Sequence, residues 1–219
     1  MKKTAICLTG LLLLAFAGCH FGGVRGSGVR KTEKRDVPAF TAIETTGAFD
    51  VQVNCQKSPS FEIEGDDNIL PLIQTEVRNG VLRVSSHKSF NTRQPIALRI
   101  SVPDLTSVSS TGAGKFVVSN LKNESFEIRS TGAAFVVAEG QSTSVKIRST
   151  GAGKIDSHDL RAARVEVSVT GAASVDVYAS EQLDVTVSGA GRVNYSGDAK
   201  LTKRVSGAGQ VNKKDQDGV

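Results

Sequence analysis

The sequence predicts an all-β protein built as a parallel β-helix, a solenoid whose coils are about 20 residues long. Three observations predict this fold. One short glycine-containing sequence recurs at a nearly constant interval, apolar and polar residues alternate around each copy, and no part of the repeat region keeps a helical apolar stripe. In a β-helix each coil lies on the previous one, so each residue must match its own copy above and below.

The repeated sequence is STGAG, which stands at Ser110–Gly114 and again at Ser149–Gly153, with close copies STGAA, VTGAA and VSGAG. The steps between successive central glycines are 20, 19, 20, 18 and 18 residues. We interpret all six central glycines as structural repeat glycines: Gly112, Gly132, Gly151, Gly171, Gly189 and Gly207.

Apolar residues lie at even distances from each central glycine. Around Gly132 they include Phe126, Ile128 and Val136, with polar or charged residues between the first two. A period of two indicates strands with one buried face. The same rule assigns the central glycine, and the Gly or Ala two residues after it, to the buried face. We therefore expect a bend or a very close approach of walls at this point.

The region from Asp36 to Pro103 alternates less regularly but also predicts strands, for example in FDVQVNC and IALRISVP. Asn79-Gly80 lies between two apolar alternating runs, which is a strong signal for a two-residue hairpin. We expect an irregular N-terminal β region with a hairpin that helps to close the end of the solenoid, because a bare end exposes backbone and core.

The N-terminus has the layout of a secretory signal. Lys2 and Lys3 precede a short apolar run, which ends in Ala17-Gly18-Cys19 and resembles the lipobox of bacterial lipoproteins. We expect Cys19 to be lipidated by an acyl group such as palmitate, the alternative being an ordinary signal peptide cut nearby. Cys55 is then the only thiol of the mature chain, which excludes an intramolecular disulfide.

These signals divide the chain into four parts. Residues 1–18 are the predicted signal peptide, residues 19–35 a glycine-rich lipidated tether, residues 36–212 the β-helix domain and residues 213–219 a polar tail. Removal of the signal peptide lowers the formal charge from +5 to +3, which is too weak to favour nucleic acid as a partner. His20, rather than Asp, follows Cys19, which favours the outer membrane over the inner one.

The repeated SGAG or TGAG followed by an aliphatic residue, the Gly47-Ala48-Phe49-Asp50-Val51 opening and the NGVLRV segment resemble the head GIN domain family of exported bacterial proteins, which are labelled adhesin-like. The resemblance covers roughly Val37 to Asn212. It implies a right-handed β-helix on a secreted or lipid-anchored protein, and it carries no catalytic residues over to this chain.

Catalytic, nucleotide and metal chemistry find little support. TGAGK at Thr111 and at Thr150 lacks the Ser or Thr and the helix that a Walker loop needs after the lysine. One acidic cluster, Asp156, His158 and Asp159 with Asp176 one coil on, is typical of solvated turns, although a polysaccharide-cleaving enzyme is the alternative. The histidines show no metal-ligand spacing. We expect no enzyme activity, no metal and no cofactor.

Exposed basic columns are the candidate binding surface. Lys115, Lys154 and Arg192 share one position in the repeat, and Arg129 and Arg148 share another. Such columns suit acidic polysaccharide or lipopolysaccharide, and they equally suit plain solubility. The repeats have no Trp, which weakens the case for specific sugar recognition.

The sequence therefore predicts a non-catalytic lipoprotein of the bacterial cell envelope with an adhesive or surface-binding role. The expected partners are the membrane, through the lipid, and an envelope polysaccharide or another protein. A self-associating homo-oligomeric scaffold is the alternative, and a polysaccharide-active enzyme is a weaker one.

Overall fold

The computed structural model describes residues 23–214, so the expected signal peptide, the lipidation site Cys19 and residues 215–219 of the expected tail lie outside the described residues. One 3-10 helix, η1, spans Leu70–Leu72. The strands are β1 Val24–Arg25, β2 Arg30–Lys34, β3 Ala42–Thr46, β4 Phe49–Cys55, β5 Ser60–Asp66, β6 Ile73–Arg78, β7 Val81–Ser86, β8 Phe90–Asn91, β9 Ile96–Val102, β10 Ser107–Gly112, β11 Lys115–Gly132, β12 Phe135–Gly151, β13 Lys154–Gly171, β14 Ser174–Gly189, β15 Arg192–Ser196, β16 Lys200–Ser206 and β17 Gln210–Lys213. Within residues 23–214 the chain forms no helix with the length and apolar character needed to span a bilayer.

The predicted β-solenoid is confirmed. Strands β10 to β14 pair in parallel, and their register places five repeat glycines in one column, Gly112, Gly132, Gly151, Gly171 and Gly189. Each coil has three sides. The first wall is the strand segment that ends at the repeat glycine, and the second wall begins three residues after it. The narrow side comprises Leu121–Asn123, Gly140–Ser142, Leu160–Ala162 and their equivalents in the other coils.

The core fills the space between the walls. Side chains at alternating positions of both walls are buried, and the largest are Phe49, Phe116 and Phe126, each at most 2% exposed. Because the coils are stacked in register, equivalent apolar residues such as Ile128 and Ile147 lie directly above one another. Burial of apolar side chains is therefore continuous along the axis of the solenoid.

The repeat glycines form the corner between the two walls. Their φ angles lie between +98° and +128°, a region that L side chains rarely adopt. A Cβ atom would lie 2.7 Å from the Gly47 carbonyl oxygen at Gly112, and 2.5 Å from the Gly151 carbonyl oxygen at Gly171. The buried position expected for these glycines is wrong, because the chain turns there and leaves them partly exposed.

The small residue two positions after the repeat glycine is buried in five of the six repeats, as the alternation predicts, and it is partly buried at Gly209 in the last coil. It faces the corner of the preceding coil. At Gly191 a Cβ would lie 2.6 Å from Cγ1 of Val169, and at Gly209 it would lie 2.5 Å from Cγ1 of Val187. These contacts favour glycine at Gly191 and Gly209, and the equivalent residues of other coils are no larger than Ala134 and Ala173.

The N-terminal end is closed by antiparallel strands. Strands β6 and β7 form the predicted hairpin, with φ of +52° at Asn79 and +74° at Gly80. At the edge of the second wall β2 pairs antiparallel with β5. Strands β1 and β8 form a separate two-stranded parallel sheet. The predicted tether over residues 19–35 is therefore wrong for its described part, because its alternating charged residues pair with the acidic strand β5 instead of remaining unstructured.

Arg35 joins the two walls at this closed end. Its Nη1 donates to the Ile73 carbonyl oxygen at 2.8 Å and to Oγ1 of Thr75 at 2.7 Å, and its Nη2 donates to the Leu70 carbonyl oxygen at 3.0 Å. The guanidinium thus satisfies two backbone carbonyls that the end of the sheet would otherwise leave without a donor, and it also binds one side-chain hydroxyl.

The opposite end is open within the described residues. Strands β16 and β17 form the last coil, and Val205 of β16 is 43% exposed. Lys203 pairs in register with buried Val185, so a lysine occupies the core-facing column of this coil. An inward-pointing charge at an edge discourages the addition of a further strand.

Substitution of Gly151 by valine tests the corner. A Cβ at Gly151 would overlap the Gly132 carbonyl oxygen, and its φ is +124°. We expect Gly151→Val to lower the free energy of unfolding by about 3 kcal/mol, from backbone strain and overpacking. Urea denaturation measures the loss. Lys154→Ala is the control, because the Lys154 side chain is exposed and lies three residues after Gly151. It should change the free energy of unfolding by less than about 0.5 kcal/mol. Equal stability of the two variants would contradict the structural role of the glycine.

Candidate functional site

Both arginines of the first-wall column form ion pairs with a carboxylate. Arg129 and Arg148 lie in register on neighbouring coils, as expected. Both contact the same carboxylate, that of Glu127, and Nη2 of Arg129 is 2.8 Å from its Oε2. Lys146 in the next column pairs with Glu166 at 2.7 Å. The two carboxylates thus compensate most of the positive charge of these three side chains, which weakens this wall as a site for an anionic ligand.

The second wall holds the other predicted column. Register places Lys115, Lys154 and Arg192 on alternate coils, separated by Phe135 and Ser174. The Lys154 ammonium lies 5.6 Å from the centre of the Phe135 ring, and Nε of Arg192 is 3.3 Å from Oε1 of Gln210. The column is a flat ladder of cations.

Acidic and amide side chains run beside this ladder in the next column. Asp156, Asp176 and Asn194 lie in register. Burial alone would raise the pKa of Asp176. Hydrogen bonds from Lys214 at 2.6 Å and from Asn194 at 2.9 Å outweigh burial and lower its pKa. The stacked aspartates are thus screened by neighbouring cations and amides.

The repeat turns do not form a phosphate cradle. Around Gly151 the amide of Ala152 donates to the Gly132 carbonyl oxygen and that of Lys154 donates to the Ala134 carbonyl oxygen, both at 2.9 Å. Backbone N–H groups that bind a phosphate must be free to point at it. Here they join successive coils.

The acidic cluster considered for catalysis does come together. His158 Nδ1 lies 3.0 Å from Oδ1 of Asp159, and the His158 amide is 3.5 Å from Oδ1 of Asp156. The side chains of His158 and Asp159 are 49% and 71% exposed. Among residues 23–214 no three His, Cys, Asp or Glu side chains converge as a metal site requires.

The narrow side of the solenoid carries surface depressions. Two adjoining depressions of about 540 and 500 Å³ share Lys122 and Gln141. We call them together the narrow-side groove. Residues on its floor and rim include Gln56, Lys57, Asn120, Lys122, Gln141, Arg161 and Tyr178.

One column runs along this groove. Lys122, Gln141, Arg161 and Tyr178 occupy matched positions on four successive coils. The Arg161 guanidinium carbon lies 4.3 Å from the centre of the Tyr178 ring. In the described part of the chain neither Lys122 nor Arg161 forms an ion pair with a carboxylate. The groove therefore combines uncompensated cations, amides and one aromatic ring.

An apolar cavity of about 490 Å³ adjoins the groove toward the closed end. Its apolar lining consists of Val37, Pro38, Ala39, Phe40, Pro59, Phe61, Val102 and Pro103. Nε2 of Gln56 joins the two regions by donating to the Pro103 carbonyl oxygen at 3.1 Å and to the Lys122 carbonyl oxygen at 3.4 Å.

Cys55 lies beneath the groove and is 1% exposed. Burial, with a smaller effect of the nearby Asp104 carboxylate, raises the pKa of its thiol to about 11. A buried and protonated thiol is a poor nucleophile. Cys55 therefore serves as a small core residue.

A sequence profile described as "Putative auto-transporter adhesin, head GIN domain" matches residues 39–199. The chain belongs to this family. The resemblance predicted from the repeats and the opening segment is thus confirmed. No curated protein matches the sequence.

Solved structures share the fold of this head GIN domain protein. A "putative adhesin" from Bacteroides fragilis is 24% identical with a TM-score of 0.72, covering 88% of this chain and 100% of its own. A "putative lipid binding protein" from Parabacteroides distasonis is 20% identical with a TM-score of 0.56, covering 88% and 99%. A "putative adhesin" from Parabacteroides merdae is 19% identical with a TM-score of 0.54, covering 88% and 99%.

The groove column was missed by sequence reasoning because it keeps no constant spacing. Lys122, Gln141, Arg161 and Tyr178 follow their repeat glycines by 10, 9, 10 and 7 residues. The pairing register shifts between Val118 and Leu121 and at the equivalent places in the next coils. Strand pairing therefore places these four residues in one column, although their distances in sequence from the repeat glycines differ.

Proposed function

We propose that this head GIN domain protein is a non-catalytic adhesin, held on the bacterial cell envelope by a lipid on Cys19. The observation that carries the proposal is the family match over residues 39–199. The adhesin descriptions of similar structures agree with it. The ligand is an envelope polysaccharide or a protein on a facing surface.

The shape of the molecule supports this role. Gly23 lies at the closed end, since β1 pairs with β8 next to the hairpin region. A lipid on Cys19, four residues earlier, is within roughly 14 Å of that end. The first wall from β6 to β16 extends roughly 40 Å at about 4.8 Å per strand. The walls and the narrow-side groove are thus presented above the membrane on a rigid stack.

The absence of catalysis is part of the proposal. The candidate cluster around His158 is exposed and lies outside the groove and the apolar cavity. General acid–base catalysis on a glycan needs two carboxyl groups facing one bond in a cleft. The groove itself is lined by cations and amides.

Attachment of intact cells tests the proposal. Cells that carry the wild-type protein, the Cys19→Ser variant or no protein are passed over a lawn of the source bacterium in a flow chamber. We expect wild-type cells to attach, and Cys19→Ser cells to release the protein and to attach no better than cells without it. Attachment that is independent of the protein would contradict adhesion, and release of new reducing ends from the lawn polysaccharide would establish an enzyme.

The alternative function is a self-associating scaffold, which would require coils of two copies to stack. The closed end offers no free core, and at the open end Lys203 stands in the core-facing column. Desolvation of an unpaired ammonium between two coils is costly. The structure thus favours a protein that acts as a single copy.

Sedimentation velocity at several concentrations distinguishes these two functions. We expect the wild-type domain to remain monomeric and Lys203→Val to associate, because valine continues the apolar column. Lys200→Val, on the outward side of the same strand, is the control with the same charge change and should remain monomeric. Concentration-dependent oligomers of the wild type would favour the scaffold.

A further inference from the structure

We propose that the narrow-side groove binds a linear acidic polysaccharide that carries one carboxylate on every second sugar. This inference rests on the proposed adhesive function and names the ligand class of its binding site. Lys122 and Arg161 bind successive carboxylates, Gln141 hydrogen-bonds the sugar between them, and Tyr178 packs against a sugar ring.

The spacing of the cations carries the first step. Lys122 and Arg161 are separated by one coil, that of Gln141, so their backbones are about 10 Å apart, twice the spacing of paired strands. An extended disaccharide has a similar length. In this column a cation, Lys122 or Arg161, therefore contacts every second sugar of an extended polysaccharide, and the amide of Gln141 contacts the sugar between them.

The irregular backbone of the narrow side is the second observation that supports a binding site. The parallel ladders are continuous through the two walls and shift register at or beside the narrow side in each of the pairings β11–β12, β12–β13 and β13–β14. Asn120, with φ of +60°, and Gly140, with φ of +132°, lie at these shifts. Bulges redirect side chains, and here they accompany the two adjoining depressions.

The contact between Arg161 and Tyr178 is the third step. A guanidinium over an aromatic face is held flat and loses little further freedom on binding a carboxylate. The Tyr178 side chain is only partly buried, so part of the ring is accessible from the groove. Together they provide a fixed charge next to an apolar ring, a combination suited to a sugar acid.

The second-wall ladder has the same two-coil spacing and its own cation–aromatic contact, Lys154 over Phe135, but it has no register shift and no amide between its two lysines. Lys115 and Lys154 stand on a flat wall, and the carboxylates of Asp156 and Asp176 run in the adjacent column. A polysaccharide there would meet repulsion and little depth. The groove column and the second-wall column therefore have the same spacing between cations but differ in the shape of the surface around them, so the second-wall column serves as the control.

Biolayer interferometry with the purified full-length lipoprotein in detergent tests the inference. The probes are hyaluronan, with a carboxylate on every second sugar, polygalacturonate, with one on every sugar, and neutral dextran. We expect binding to hyaluronan and none to dextran. Lys122→Gln and Arg161→Gln should each weaken hyaluronan binding about tenfold, the loss of one charge-assisted hydrogen bond. The double variant Lys115→Gln with Lys154→Gln should change it by less than about twofold.

A gain-of-function variant tests the register. Gln141→Arg places a third cation between the other two, so we expect it to strengthen binding to polygalacturonate and to leave hyaluronan binding nearly unchanged.

The inference is overturned by equal losses in the groove and second-wall variants, by equal gains for both polysaccharides, or by an absence of hyaluronan binding. Normal attachment of Lys122→Gln and Arg161→Gln cells in the flow chamber would overturn this ligand assignment and leave adhesion standing, whereas the loss of all attachment by wild-type cells would refute adhesion itself.

Discussion

The structure depends on the backbone hydrogen bonds that join coils at the glycine corners. The amides of Ala133, Ala152, Ala172 and Ala190 each donate to the carbonyl oxygen of the repeat glycine one coil earlier, at 2.8 to 2.9 Å. This geometry leaves no room for a side chain at the glycine, and it keeps adjacent coils in register through the turn. A side chain at the corner would force adjacent coils apart, and glycine avoids this because it has no side chain.

Register at the corner fixes what the surface displays. Because equivalent residues stack about 4.8 Å apart, any side chain type repeated along the sequence becomes a ladder. The first wall pairs its two arginines with Glu127, the second wall has cations beside aspartates, and the narrow side aligns cations with amides. The same architecture thus supplies three chemically different surfaces.

The fold was predictable because its determinants are repeated. Period-two alternation and the steps between glycines identified the coils, and Asn79-Gly80 identified the closing hairpin. Two features were not predictable in this way. Residues 24–34 pair with strand β5 through non-repeated contacts, and Arg35 reaches carbonyls some 35 residues away. The groove column depends on bulges that change the number of residues per coil, so Arg161 and Tyr178 are neighbours although no fixed interval relates them.

Amide hydrogen exchange followed residue by residue by NMR tests the central claim most directly. If the corners are coil-to-coil contacts, the amides of Ala133, Ala152 and Ala172 will exchange as slowly as a first-wall amide such as that of Glu127, which donates to the Thr106 carbonyl oxygen, because both kinds of amide are bonded to the preceding coil. Exchange of these corner amides at the rate of exposed turns, with the wall amides still protected, would show that the corners are ordinary loops and would contradict the assignment.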